Sequence, residues 1–173
     1  MQRIESFSID HTKLLPGIYV SRKDNIKGAV ITTFDIRVTR PNFEPVLNNA
    51  EIHTVEHLGA TYLRNDPEFK DRIVYFGPMG CRTGFYLLIG DDLASGEVAP
   101  LITKMFEFVA HFEGELPGAH PEECGNYLDH NVEMAKYISK RYLENTLYKL
   151  SEKADHHELR VQVLYELLAS HLA

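Results

Sequence analysis

The sequence predicts an α+β fold, a mainly antiparallel sheet with helices packed on one face, in a single domain over residues 1–173. Three observations carry this. Short runs that alternate apolar and polar residues mark strands in the first half of the chain. Apolar residues spaced by three and four mark helices after them. The two kinds do not take turns in the regular strand–helix–strand order that a parallel sheet needs. With 173 residues, 44% hydrophobic and 25% charged, the chain can bury one sizeable core, and no repeat or long linker divides it.

The elements follow in order. Residues 30–38, VITTFDIRV, place Val30, Thr32, Phe34, Ile36 and Val38 on one face of a strand. Ile31, Thr33, Asp35 and Arg37 fall on the other, mixed face. Asn48 and Asn49 offer a helix start and Asp66-Pro67 a stop, which leaves room for about three or four turns. Ile73 to Phe76 and Thr83 to Ile89 form a second strand pair across Gly77-Pro78-Met79-Gly80, so Cys81 sits just past a tight turn. Behind Asp91, Asp92 and Ser95, the series Val98, Leu101, Ile102, Met105, Val109 and Phe112 has helical spacing, with Pro100 tolerated in the first turn. Residues 113–125, EGELPGAHPEECG, read as a loop that delivers Cys124. Two helices, 132–150 and 159–172, end the chain, the second within a C-terminal extension over 151–173.

Composition narrows the function. A net charge of −7 with no basic stripe excludes nucleic acid as a partner. The N-terminal MQRIESFSIDHTK lacks the apolar block of a signal peptide, and no 18-residue apolar run follows, so the reading is cytoplasmic with no membrane partner. In that reducing setting Cys81 and Cys124 are metal ligands or catalytic thiols rather than a disulfide.

The run His53-Thr54-Val55-Glu56-His57 is the strongest chemical signal. At about 100° per residue His53 and His57 share a stripe with Ala60 and Arg64, opposite Val55, Leu58 and Tyr62, so both imidazoles reach one ion with Glu56 beside it. Two imidazoles and one thiolate, with an open position, suit a catalytic Zn²⁺ or Fe²⁺, and either Cys81 or Cys124 can be the thiolate. Two other readings fit the same run. One is an inverted H-x-x-E-H zinc peptidase, which takes a carboxylate as third ligand. The other is a non-catalytic module in which both cysteines and both histidines close a tetrahedral site.

Five motifs in order make the chain recognisable. They are Glu5-Ser6-Phe7 with Asp10-His11-Thr12, Phe34-Asp35-Ile36-Arg37 with Pro41-Asn42, His53 to Leu58, Pro78-Met79-Gly80-Cys81-Arg82-Thr83-Gly84-Phe85-Tyr86, and Glu123-Cys124-Gly125. Over most of its length the chain resembles the S-ribosylhomocysteine lyase (LuxS) family. The resemblance implies that His53, His57 and Cys124 hold the metal, Fe²⁺ natively with Zn²⁺ or Co²⁺ able to substitute. Cys81 and Glu56 become the proton-transfer pair, and Ser6, His11 and Arg37 line the substrate pocket. It also implies cleavage of S-ribosylhomocysteine into homocysteine and dihydroxypentanedione, the autoinducer-2 precursor, by a homodimer with sites at the subunit interface.

The chain departs from the family at two places. Tyr75-Phe76-Gly77 stands where Asp-Ile-Ser or similar is expected, an acidic residue tied to the amino-acid end of the substrate. The tail with Asp155-His156-His157-Glu158 has no family counterpart, and its adjacent histidines are read as surface residues. His111, His120, His130 and His171 are likewise read as surface or satisfied polar residues, and Asp35 as structural.

Overall fold

The computed structural model describes residues 9–152. Ser6, His156, His157, His171 and the helix expected over 159–172 lie outside the described residues.

Four strands, β1 (Gly17–Ile26), β2 (Ala29–Arg37), β3 (Ile73–Pro78) and β4 (Gly84–Ile89), form one sheet in the order β1-β2-β4-β3. All three pairings are antiparallel. Three of these strands lie where alternation placed them, and β1 is an addition. Its pattern is broken by a register shift between Val20 and Arg22, and its second half is polar on both faces, so periodicity alone does not reveal it. A turn signal does. Lys27 and Gly28 both have positive φ, 52° and 90°, and close Ile26 onto Ala29 in the two-residue loop whose twist matches a hairpin. The Asn25 side chain accepts the Gly28 N–H at 3.1 Å and completes it.

Helix α1 (Asn49–Leu63) starts at Asn48, whose N–H is taken by the Glu51 carboxylate at 2.6 Å. Glu97 caps α2 (Ser95–Ala110) in the same way at the N–H of Ala94, 2.7 Å away. The Asn131 side chain accepts the Met134 N–H at the head of α3 (Val132–Tyr142). Beyond α3 the chain passes through a π-turn at Leu143–Leu147 into the short α4 (Tyr148–Glu152). The wide turn keeps Leu143 and Leu147 buried. No helix among the described residues is long and apolar enough to cross a membrane.

The core lies between one sheet face and the helices. Phe34, Ile36, Phe85, Leu87 and Ile89 from the sheet, Val55 and Leu58 from α1, and Val98, Ile102, Met105, Phe106 and Val109 from α2 are all fully buried. The opposite, mixed face of β2 is covered too, since Asp35 and Arg37 are 4% and 2% exposed. A single glycine sets how near α1 comes to the sheet. A Cβ on Gly59 would stand 2.5 Å from the Phe76 ring and 3.1 Å from the Met105 sulfur. That close approach holds the histidine-bearing helix rigidly over β3. Gly59→Ala should therefore destabilise the fold by about 1–3 kcal/mol despite the better helix propensity of alanine, as read by chemical denaturation. A more stable Gly59→Ala protein would show that the helix has room to move.

Candidate metal centre

His53 and His57 sit one turn apart on α1, half-buried under the segment 113–131, while Val55 and Leu58 point into the core. Each imidazole is fixed by a backbone carbonyl of that segment. His53 Nδ1 lies 2.9 Å from the carbonyl oxygen of Asp129, and His57 Nδ1 lies 2.8 Å from that of Pro117. A carbonyl only accepts, so both rings carry a proton on Nδ1, which leaves Nε2 as the nitrogen that can offer a lone pair to an ion. Gly118 makes the second contact feasible. Its φ is +71°, and a Cβ there would press to 3.0 Å from His57 Nδ1.

Cys124 arrives on the same segment. Its Sγ is 3.3 Å from His53 Nε2, and the two histidine rings meet nearly edge to face at 87°. The ligand atoms of His53, His57, Cys124 and His130 all lie within 4.8 Å of one another. Two imidazoles turned by their Nδ1 contacts to present Nε2, with a thiol beside them, form a donor set suited to a soft divalent ion. Glu56 is half-buried beside them and lines a cleft of about 390 Å³ with His53, His57, Ala60, Thr61, Pro117 and Gly118.

This arrangement separates the readings left open by spacing. The thiol in the cluster is Cys124, and among the described residues no carboxylate joins it, as the peptidase reading requires. Cys81 is outside it too, so the closed two-cysteine site is not assembled.

Cys81 belongs to a second group. It is exposed on the turn after β3, 3.1 Å from Thr83 Oγ1 and 3.7 Å from Arg37 Nη1. Arg37 also donates to Thr83 Oγ1 at 2.5 Å and to both oxygens of Asp35 at 3.1 and 2.5 Å. Thr83 Oγ1 accepts from the guanidinium and keeps its own proton free to donate to the sulfur once Cys81 is a thiolate. Burial pushes the Cys81 thiol up, but the Thr83 hydrogen bond and then the Arg37 charge outweigh it and hold the thiol below its ordinary range. For Asp35 burial wins, and its carboxyl is raised against the pull of Arg37. His11 stands near enough to influence the Asp35 carboxyl, and its Nδ1 lies 2.9 Å from the Ile9 carbonyl oxygen.

Two residues, His130 and Thr83, were misread or missed. His130 is not a surface histidine. It is half-buried and stacked on His53 with ring centroids 4.1 Å apart, and burial, then His53 and His57, push it down to about 4. Judged singly it reads as bland, because what it meets, Thr54 and His53, lies far away in the sequence. Thr83 passed as an ordinary strand residue, although its place two residues from a reactive thiol was visible. Tyr75, part of the departure noted in the sequence, is exposed and lies across Gly77, where a side chain would meet its hydroxyl. His111 and His120 are exposed as read, the latter 3.1 Å from Glu115.

Thr83→Val should shift the pH midpoint of Cys81 alkylation upward, since the thiolate loses its donor while the thiol does not. Iodoacetamide rates followed by mass spectrometry at Cys81 measure this, and an unmoved or lower midpoint would exclude the Thr83 contact as the cause.

Comparison with known proteins adds the last observation. The family model described as S-Ribosylhomocysteinase (LuxS) matches residues 4–153. The S-ribosylhomocysteine lyase of Clostridium beijerinckii is 54% identical over 153 residues, covering 88% of this chain and 96% of that protein. That of Porphyromonas gingivalis is 55% identical with the same coverage, and that of Finegoldia magna is 56% identical over 143 residues, covering 83% and 90%. With the His-His-Cys cluster in place and the match running through every motif from Glu5 to Gly125, the chain belongs to the S-ribosylhomocysteinase (LuxS) family.

Proposed function

We propose that this protein is an S-ribosylhomocysteine lyase, releasing homocysteine and 4,5-dihydroxy-2,3-pentanedione, the autoinducer-2 precursor. The observation that carries the reading is the trio His53, His57 and Cys124, with both imidazole tautomers set by carbonyls, in a chain matched to the family along its length.

In this reading the trio holds one divalent ion per subunit, Fe²⁺ natively with Zn²⁺ or Co²⁺ able to replace it. When bound, the ion supplies Lewis acidity to the sugar carbonyl oxygens. The chain's own groups move the protons. Transfer of the C2 proton to C1 and then of the C3 proton to C2 carries the carbonyl from C1 to C3. Removal of the C4 proton then breaks the C5–S bond, the electron pair leaves with sulfur, and the resulting enol takes up a proton at C5. No oxidant or reductant is consumed.

Glu56, lining the cleft, and Cys81, with its depressed thiol, are the bases and acids for these transfers. Ser6, His11 and Arg37 line the substrate pocket. The grouping of His11, Arg37 and Cys81 apart from the His-His-Cys cluster supports a homodimer in which the segment with Ser6 and His11 completes a neighbour's site. Two free thiols suit a reducing, cytoplasmic setting.

Incubation with S-ribosylhomocysteine should release titratable homocysteine thiol, and a metal-loaded protein that releases none would end the proposal. Cys124→Ala should lose both metal and turnover, whereas Glu56→Gln and Cys81→Ala should keep metal and lose ~10² or more in kcat. Metal retained in Cys124→Ala, seen by elemental analysis, would overturn the ligand set. Mixed dimers of His11→Ala with His57→Ala, purified through two tags, should regain activity because one of their two sites is intact. If they stay as inactive as their parents, each site is built within one chain.

A further inference from the structure

His130 has no role in the ligand set, yet it stands inside the cluster, and its hydrogen bonds can be accounted for completely. Thr54 Oγ1 donates its only proton to the Ala50 carbonyl at 2.7 Å and accepts the Asn131 N–H at 2.9 Å. At 3.3 Å from His130 Nδ1 that oxygen can therefore only accept again. The proton of His130 is thus on Nδ1, and Nε2 is a bare acceptor. Nε2 is buried and has no hydrogen-bond partner among the described residues. A buried acceptor left empty costs free energy, and this one belongs to a side chain inside the donor cluster.

The ring planes say what that acceptor does not hold. An imidazole binds an ion along its lone pair, in the plane of the ring. His53 and His57 are inclined at 87°, so their lone pairs can converge on one ion. His130 is stacked on His53 with only 20° between the planes and 4.1 Å between centroids. Its lone pair therefore lies in a nearly parallel plane and does not converge with that of His53, which sets His130 apart from the two imidazoles that would hold an ion.

We propose that His130 is a positioning residue of the metal centre, whose Nε2 accepts a hydrogen bond from the hydroxyl of an α-hydroxy carbonyl ligand entering beside His53 and His57. The proposal rests on the ligand assignment made above. Thr54, through Ala50 and Asn131, holds the acceptor in one tautomer, so a hydroxyl is favoured over a group without a proton to give. Each successive carbonyl compound of the proposed reaction has a hydroxyl next to its carbonyl, so the same acceptor serves at every stage.

The test uses the full chain loaded with Co²⁺, whose visible spectrum reports the ligands around the ion. Two probes are titrated: 1,3-dihydroxyacetone, which offers a hydroxyl beside a carbonyl, and azide, which offers no proton. His130→Asn keeps the donor toward Thr54 and removes the acceptor, while His130→Gln places an amide oxygen near the former Nε2. His130→Asn should bind dihydroxyacetone about tenfold more weakly, the scale of one hydrogen bond, with azide affinity and the probe-free spectrum unchanged. His130→Gln should recover most of the loss. Equal weakening of both probes, no weakening of either, or a changed probe-free spectrum or lost Co²⁺ in His130→Asn would each overturn the proposal, the last by making His130 a ligand or a scaffold. These readouts do not require turnover. A wild-type protein that shows this pattern but releases no homocysteine would defeat the lyase reading and leave the role of His130 standing.

Discussion

Two carbonyl oxygens, those of Pro117 and Asp129, control the chemistry that α1 can offer. An imidazole is a metal ligand only through a nitrogen without a proton, and each of these oxygens pulls the proton of one histidine to the far side of its ring. Both belong to an irregular segment with almost no regular secondary structure, rich in glycine and proline, that crosses the exposed flank of α1. The same segment carries Cys124 and His130 to the helix. Its docking therefore does three things at once: it sets tautomers, supplies sulfur and limits access to the cleft. Gly118 favours that docking twice over, because its φ of +71° strains other residues and a Cβ there would crowd His57 Nδ1 at 3.0 Å.

The second group obeys a different constraint. Arg37 is almost wholly buried, and an unpaired buried charge is costly, on the order of 3–5 kcal/mol when one partner of such a pair is removed. Asp35 meets that cost with a two-oxygen contact, which leaves the remaining guanidinium edge for Thr83 and Cys81. The thiol is thus tuned by a charge whose position is fixed from behind. Asp35, read from the sequence as structural, holds Arg37 from behind and so fixes the place of the cation beside Cys81.

Much of this was legible in the sequence for a simple reason: periodicity and short motifs are local. The alternation of Val30 to Val38, the helix between Asn48 and Asp66, and the apolar series behind Ser95 each depend on neighbours within a few residues, and each stands where it was read. The spacing of His53 and His57 is local too. What could not be read depends on distance along the chain. Nothing near Cys81 or Cys124 says which of them meets the histidines; that is decided by a loop folding back over α1. His130 was misread for the same cause, as its value comes from Thr54 and His53, more than seventy residues earlier. Strand β1 escaped because its outer half forms a two-stranded ribbon with polar residues on both sides, where only the left-handed Lys27-Gly28 turn carries information.

Tyr75 and Gly77 have a consequence for how such a chain can change. The phenol ring lies over Gly77, so a side chain introduced at position 77 would have to displace it. Tyr75 is 45% exposed, and its ring can swing toward solvent to make that room. The edge strand β3 can therefore take a change at either position without disturbing the core, and a substitution at 77 would be felt first as a new orientation of the ring at 75.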